Sequence, residues 1–275
     1  MKKPYVALAP FLADCPPVTT LGVRPALMDY SLEELELLRS AEVVFFPTRL
    51  YARIFHSAGI PTFPSFTCHI YRSSNLHQII LLKMMGFPHP ATRIYYGKNR
   101  NSQVLRDFSF PFTVLPPFGK TSRPPFEVKS VQEFEACFRK WNPLIVQRSG
   151  PWDKKLTLLC TSFQILGGSL QSDDTSPPTP LDTRLLNDAC FNHPVTLTHR
   201  LIKAAALDDI CLEWARQGGT WRLLSIRRPT VEMAAPNRFA YLCGQIVQGN
   251  IGHTLKGPCE KISPLMPEKT VGQPL

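Results

Sequence analysis

Proline punctuates this chain so often that none of its elements can be long. The 275 residues include 27 prolines, and each one fixes φ, removes a backbone donor and breaks a helix interior or a central strand. Between them, short apolar runs alternate with short stretches of helical periodicity. Residues 5–9 read as a strand. Ser31-Leu32-Glu33-Glu34 is a capping box, after which Leu32, Leu35 and Leu38 recur at helical spacing. Residues 42–46 are a buried strand stopped by Pro47, residues 49–58 a helix ended by Gly59, and residues 62–65 a short extended piece. This order predicts a small parallel sheet within residues 1–72.

A second unit, residues 73–142, opens with a helix over 74–85 that carries Leu76, Ile79, Ile80 and Leu82 on its apolar side. Strands follow at 93–96, 110–115 and 126–128. Ser130-Val131-Gln132-Glu133 is a second capping box, and Val131, Phe134, Phe138 and Trp141 make one helix face. A third unit, residues 143–250, begins with a strand at 144–147. Residues 156–160 and 163–166 form a hairpin, 172–180 an exposed Pro-rich loop and 196–206 a helix. Strands at 210–214 and 221–226 flank a Gln217-Gly218-Gly219 turn. Residues 251–275 form an irregular tail. The fold class is α/β, with a small parallel sheet followed by two α+β lobes.

Charge narrows the partners. Lys and Arg total 31 against 21 acids, a net charge of +10, which favours acidic partners such as nucleic acid, nucleotide or an anionic membrane. The basic residues are scattered, in runs no longer than Lys154-Lys155 or Arg227-Arg228, and no nucleic-acid signature accompanies them, so nucleic acid is not the expected partner. The eight cysteines hold no C-x-x-C pair. That argues against zinc and for thiols acting as small hydrophobes, Cys137 and Cys160 among them, in a reducing cytoplasm. Lys2-Lys3 and Leu12-Ala13-Asp14-Cys15 have the look of a lipoprotein signal, but Pro10 and Asp14 favour a first strand, and no run reaches membrane-spanning length. His193 and His199 have no second ligand at metal spacing. Gly119-Lys120-Thr121 echoes a P-loop whose first glycine is replaced by Val114.

Five patterns in order carry a resemblance. They are Ala58-Gly59-Ile60-Pro61 with Phe63-Pro64-Ser65, the helix leading into Gly86-Phe87-Pro88-His89-Pro90-Ala91-Thr92, Phe110-Pro111-Phe112-Thr113-Val114, the helix at 130–138, and Pro143-Leu144-Ile145-Val146-Gln147. Over roughly residues 42–230 the chain resembles the ATP-grasp superfamily, in the branch of glutathione synthetase and the ribosomal-protein glutamate ligases. The resemblance implies a pre-ATP-grasp domain at 1–72 and two grasp lobes at 73–142 and 143–250. It puts the strands 110–115 and 144–147 on opposite walls of one cleft.

That family holds ATP phosphates with two lysines and a glycine-rich loop, and Mg²⁺ with hard oxygen ligands. Residue by residue, the resemblance places the first lysine on Asn75, the second on Leu115 and the glycine loop around Lys120. The adenine-binding hinge falls on Gln147 and the hinge glutamate on Arg148. The metal-site aspartate falls on Cys211, and the closing glutamate and asparagine on Ser225 and Arg227. Apart from the hinge at Gln147, whose adenine contacts the resemblance assigns to backbone groups, every position departs from the family pattern. The expectation is therefore a non-catalytic ATP-grasp-like protein that needs no cofactor and binds a partner protein or an anionic ligand. Its alternative is an active ATP- and Mg²⁺-dependent carboxylate–amine ligase, and a third reading is a basic nucleic-acid-binding module.

Overall fold

The computed structural model describes residues 3–118, 125–172, 176–229 and 231–251. In chain order the elements are β1 (Tyr5–Ala7), β2 (Val18–Thr20), α1 (Leu32–Ser40), β3 (Val43–Phe45), α2 (Arg49–Ser57), β4 (Thr62–Phe63), α3 (Phe66–Tyr71), α4 (Asn75–Met84), β5 (Thr92–Tyr95), α5 (Arg100–Asp107), β6 (Phe112–Leu115), β7 (Phe126–Val128), α6 (Val131–Phe138), β8 (Leu144–Arg148), β9 (Lys154–Thr161), β10 (Gln164–Gln171), β11 (Thr179–Leu181), α7 (Asn192–Ala204), β12 (Asp209–Gln217), β13 (Thr220–Arg227) and α8 (Val231–Val247). The fold is mixed α/β, as the alternation of strand and helix periods predicts.

The first sheet is parallel, in the order β2-β1-β3-β4. Side chains alternate across it, so both faces must be covered. Val6, Leu8 and Val44 meet Leu38, Tyr51 and Phe55 of α1 and α2 on one face. Tyr5, Ala7, Val43 and Phe45 meet Leu242 and Ile246 of α8 on the other. The capping box at the start of α1 forms as its residues predict: Glu34 N–H donates to Ser31 Oγ, and Ser31 N–H donates to Glu34 Oε2. Helix α8 has no counterpart in the sequence reading, because Pro236 and Gly244 interrupt its helical signal. Its apolar residues declare themselves only against the sheet they cover.

The second sheet is antiparallel, β5-β8-β6-β7. Here one expectation is overturned. The strands at 110–115 and 144–147 do not face each other across a gap. They are hydrogen-bonded neighbours, with Thr113 opposite Gln147. Strand β8 is apolar enough to sit between two partners, and the sheet gives it β5 on one side and β6 on the other. The chain then passes through residues 149–153 into the third sheet, β11-β10-β9-β12-β13. The β9–β10 hairpin turns at Ser162-Phe163, both with positive φ. The β12–β13 hairpin turns at Gly218-Gly219, where glycine makes positive φ cheap. Part of the expected loop at 172–180 is strand: β11 pairs with β10 and puts Pro180 on the outer edge, where a missing donor costs least. Trp214 is fully buried under α7 and donates from Nε1 to Thr198 Oγ1 at 3.0 Å.

Helix α4 ties the second and third sheets together. Leu76 and Ile79 pack with Leu115 and Ile145 of the second sheet, while Leu82 joins the core of the third. Gln78, 2% exposed, closes the free edge of β13. Its Nε2 donates to Ile226 O at 2.8 Å and Tyr71 O at 2.7 Å, and its Oε1 accepts Ile226 N–H at 3.0 Å. Gln78→Leu keeps the volume but orphans these buried backbone groups. It should cost about 2–3 kcal/mol in urea unfolding with an unchanged slope; a midpoint within error of wild type would show the edge is closed by something else.

Cysteine usage departs from the expectation of free thiols throughout. Cys68, Cys160 and Cys211 are buried and outside any disulfide, but Cys15 and Cys243 form a disulfide across 228 residues, a pairing that no local spacing could announce. The side chain of Cys137 lies outside the described residues. No helix among the described residues is long and apolar enough to cross a membrane.

Candidate functional site

The residues that the sequence reading singles out fall into two groups, one at the N-terminus of α4 and one on the β12–β13 hairpin. At the helix N-terminus, Ser74 caps α4 and the first turn clamps the chain leaving β6. Ser74 Oγ and Leu76 N–H both donate to Pro117 O, and Asn75 Nδ2 donates to Pro116 O at 2.8 Å. Asn75 therefore spends its amide on backbone. Leu115 is buried between Ile79 and Ile145. Gln147, also buried, donates from Nε2 to Thr92 Oγ1, which donates to Pro90 O. Arg148 is exposed at the end of β8, with its backbone N–H on Ala91 O. Lys120 lies outside the described residues.

The second group sits on one face of the β12–β13 hairpin, where the register sets Cys211 opposite Arg227 and Glu213 opposite Ser225. Cys211 is buried against Leu159 and Leu166. The other three form a closed triad. Arg227 Nη2 lies 2.6 Å from Glu213 Oε2, Ser225 Oγ donates to the same oxygen at 2.9 Å, and Arg227 Nε donates to Ser225 Oγ at 2.9 Å. Sequence reasoning missed Glu213. Its signal was a lone acid in the apolar run Ile210-Cys211-Leu212-Glu213-Trp214, since a charge on a buried strand demands a partner. Chemically, the triad is a carboxylate already neutralised by a guanidinium. Among the described residues, no three His, Cys, Asp or Glu side chains converge as a metal site.

A further polar centre, unexpected from the sequence, lies at the carboxyl end of the parallel sheet, where β12 begins. Asp209 is 1% exposed and receives Arg238 Nε at 2.9 Å and Nη2 at 2.6 Å. The same guanidinium stands 4.7 Å from the centre of the Phe11 ring and 5.2 Å from that of Phe46. Asp208, equally buried, accepts Ser65 N–H at 2.9 Å and the Cys68 thiol at 3.0 Å. Burial raises its carboxyl to about 6. Burial, with Asp208 alongside, pushes the Cys68 thiol well up, so Cys68 is a donor and no nucleophile. A cavity of about 200 Å³ adjoins Asp208, lined also by His56, Thr62, Phe66 and Phe163.

Beside this pair the charge turns positive. His69 is 3% exposed and accepts from Arg72 Nη2 through Nδ1 at 2.7 Å. Burial, then the guanidiniums of Arg72, Arg228 and Arg49, push its pKa down to about 3, so the ring is neutral at physiological pH. These arginines arrive from three elements: Arg49 opens α2, Arg72 follows α3 and Arg228 follows β13.

No protein-family model and no curated protein match the chain by sequence. Solved structures do match in shape. A RimK domain protein ATP-grasp from Sphaerobacter thermophilus superposes with a TM-score of 0.63 at 15% identity, over 92% of this chain and 99% of that one. D-alanine–D-alanine ligase from Bacillus anthracis, complexed with ATP, gives 0.61 at 10% identity over 90% and 87%. The ADP complex of N5-carboxyaminoimidazole ribonucleotide synthetase gives 0.60 at 9% identity over 92% of this chain and 69% of the other.

Proposed function

We infer that this chain, which has the ATP-grasp fold, works by binding an anionic ligand or a partner and does not ligate. One observation carries the reading: both acids of the β12–β13 hairpin are already paired with arginine, Glu213 with Arg227 and Asp209 with Arg238. Mg²⁺ is held by hard oxygens that keep their negative charge, and two or more carboxylates usually supply it. A carboxylate oxygen shared with a guanidinium and a hydroxyl has little left to give, and the cation beside it repels a second one. This donor set does not suit Mg²⁺. The other end agrees. Leu115 and Asn75, which occupy the phosphate-lysine positions of the resemblance, are spent on an apolar cluster and on the Pro116 carbonyl.

The expected result is no ADP release above blank from purified full chain with ATP, Mg²⁺ and a panel of amino acids or peptides. Removing one charge-stabilising group costs about 10²–10³-fold, and several are replaced here. Nucleotide binding, followed by calorimetry, should be weak and equal in EDTA and in Mg²⁺. Robust Mg²⁺-dependent ADP release would overturn the reading and establish the active-ligase alternative.

A further inference from the structure

We propose that the cavity beside Asp208 is a binding site for a small organic cation of the alkylammonium class. Two observations coincide there, and the first is a buried carboxylate without a counter-ion. Asp208 is 1% exposed, and its side-chain partners are the Ser65 N–H at 2.9 Å and the Cys68 thiol at 3.0 Å, both neutral. The neighbouring guanidinium of Arg238 is committed to Asp209 through Nε and Nη2, and Arg72 turns Nη2 to the His69 ring. Asp208 has no ion-pair partner among the described residues. Its Oδ2 receives only the longer arm of the Ser65 N–H, at 3.1 Å, and so keeps a lone pair free. A buried carboxylate is costly until a cation compensates it.

The second observation is the room beside that carboxylate. The cavity holds about 200 Å³, far more than the roughly 10–15 Å³ that one water needs. Its lining suits a cation that carries carbon. His56 and Phe66 lie with ring centroids 5.2 Å apart and planes inclined by 31°, and Phe163 contributes a third ring. Aromatic rings attract an ammonium group and cover its alkyl chain. His56 belongs to the last turn of α2, where helix carbonyls carry a partial negative charge that favours cations. Thr62 Oγ1 donates to Pro64 O at 3.1 Å, which leaves its lone pairs to accept from an ammonium N–H. An anion here would meet the Asp208 carboxylate instead. His56 and Ala206 are exposed members of the lining, so the cavity opens to solvent. Among the described residues, none of those at the nucleotide or metal positions of the resemblance lines it. The site therefore stands whether or not the cleft binds a nucleotide.

The test is calorimetry of the full chain at about pH 8 and low salt, with butylammonium chloride as the probe and butanol as its neutral control. At that pH Asp208, which titrates at about 6, is ionised, and an alkylammonium keeps its proton as lysine does. Wild type should bind the amine with a Kd in roughly the millimolar range, and butanol at least about tenfold more weakly. Asp208→Asn keeps an oxygen for the Ser65 N–H and the Cys68 thiol but removes the charge. It should lose at least about tenfold in amine affinity with no fall in melting temperature. Phe66→Ala, on the half-buried wall, should weaken the amine about two- to fivefold. No saturable heat up to about 50 mM amine would overturn the proposal. So would butanol binding as tightly as the amine, or an amine affinity that either variant leaves unchanged.

Discussion

Arg238→Ala should destabilise the chain by about 3–5 kcal/mol, because it strands a buried carboxylate. Asp209 is 1% exposed and makes both of its strong contacts to that one guanidinium, at 2.9 and 2.6 Å. Thr161 Oγ1, at 3.4 Å, is too distant to replace them. The variant also loses the stacking of the cation on Phe11 and Phe46, an attraction worth about 1–2 kcal/mol when desolvated. The double change Asp209→Asn with Arg238→Met should recover most of the loss, since a buried ion pair replaced by neutral groups of similar volume is often no less stable. Urea unfolding under non-reducing conditions keeps the Cys15–Cys243 bond constant across the series. An Arg238→Ala midpoint equal to wild type would mean that Asp209 reaches water in the variant, and that α8 is held by Leu242 and Ile246 alone.

Acid should unfold the protein through His69. In the unfolded chain a histidine titrates near 6.5, whereas in the fold His69 titrates at about 3. Between these values the unfolded state binds a proton that the folded state refuses, so stability falls as pH falls from 6.5 to 3. A shift of that size corresponds to roughly 4–5 kcal/mol across the window. Asp208 has the opposite sign. Its carboxyl titrates near 6 in the fold against 3.8 when unfolded, so it contributes stability that is present below the lower value and lost as pH rises through the upper one. The two oppose each other from about pH 4 to 6, and below pH 4 His69 acts alone.

His69→Gln keeps an acceptor for Arg72 and removes that titration; stability should then rise as pH falls from 6 to 4, where Asp208 acts alone, and stay level below pH 4. Asp208→Asn keeps an oxygen for Ser65 N–H and the Cys68 thiol. It should be more stable than wild type above pH 6 by up to about 3 kcal/mol, and should lose stability more steeply between pH 6 and 4. Denaturant midpoints at several pH values measure both. A His69→Gln profile parallel to wild type would show that the burial of this ring is not what makes the fold acid-sensitive.

Much of the element plan is local and therefore legible. A capping box needs residues three apart, as Ser31 and Glu34 are. A strand of a parallel sheet needs a run such as Val43-Val44-Phe45, and a hairpin needs a turn such as Gln217-Gly218-Gly219. The ATP-grasp fold, read from five such patterns in order, agrees with the solved structures that superpose on the chain. What the sequence could not display is which groups satisfy one another. Glu213 was invisible beside Arg227 until the hairpin register brought the strands together. The pairing of β6 with β8 leaves no mark on either strand, because any apolar strand pairs equally well on paper.

The contacts that join the sheets span the chain. Ser65 meets Asp208 across 143 residues, Gln78 meets Ile226 across 148, and Cys15 meets Cys243 across 228. Arg238 reaches Asp209 from a helix the sequence did not announce. By itself the sequence determined the short elements, their order and the excess of positive charge, since each depends on neighbours a few positions away. Only the tertiary structure decided which charges are cancelled and which remain exposed. A buried charge takes whatever partner the packed core places beside it, and that choice is made across sequence separations over which no periodicity persists.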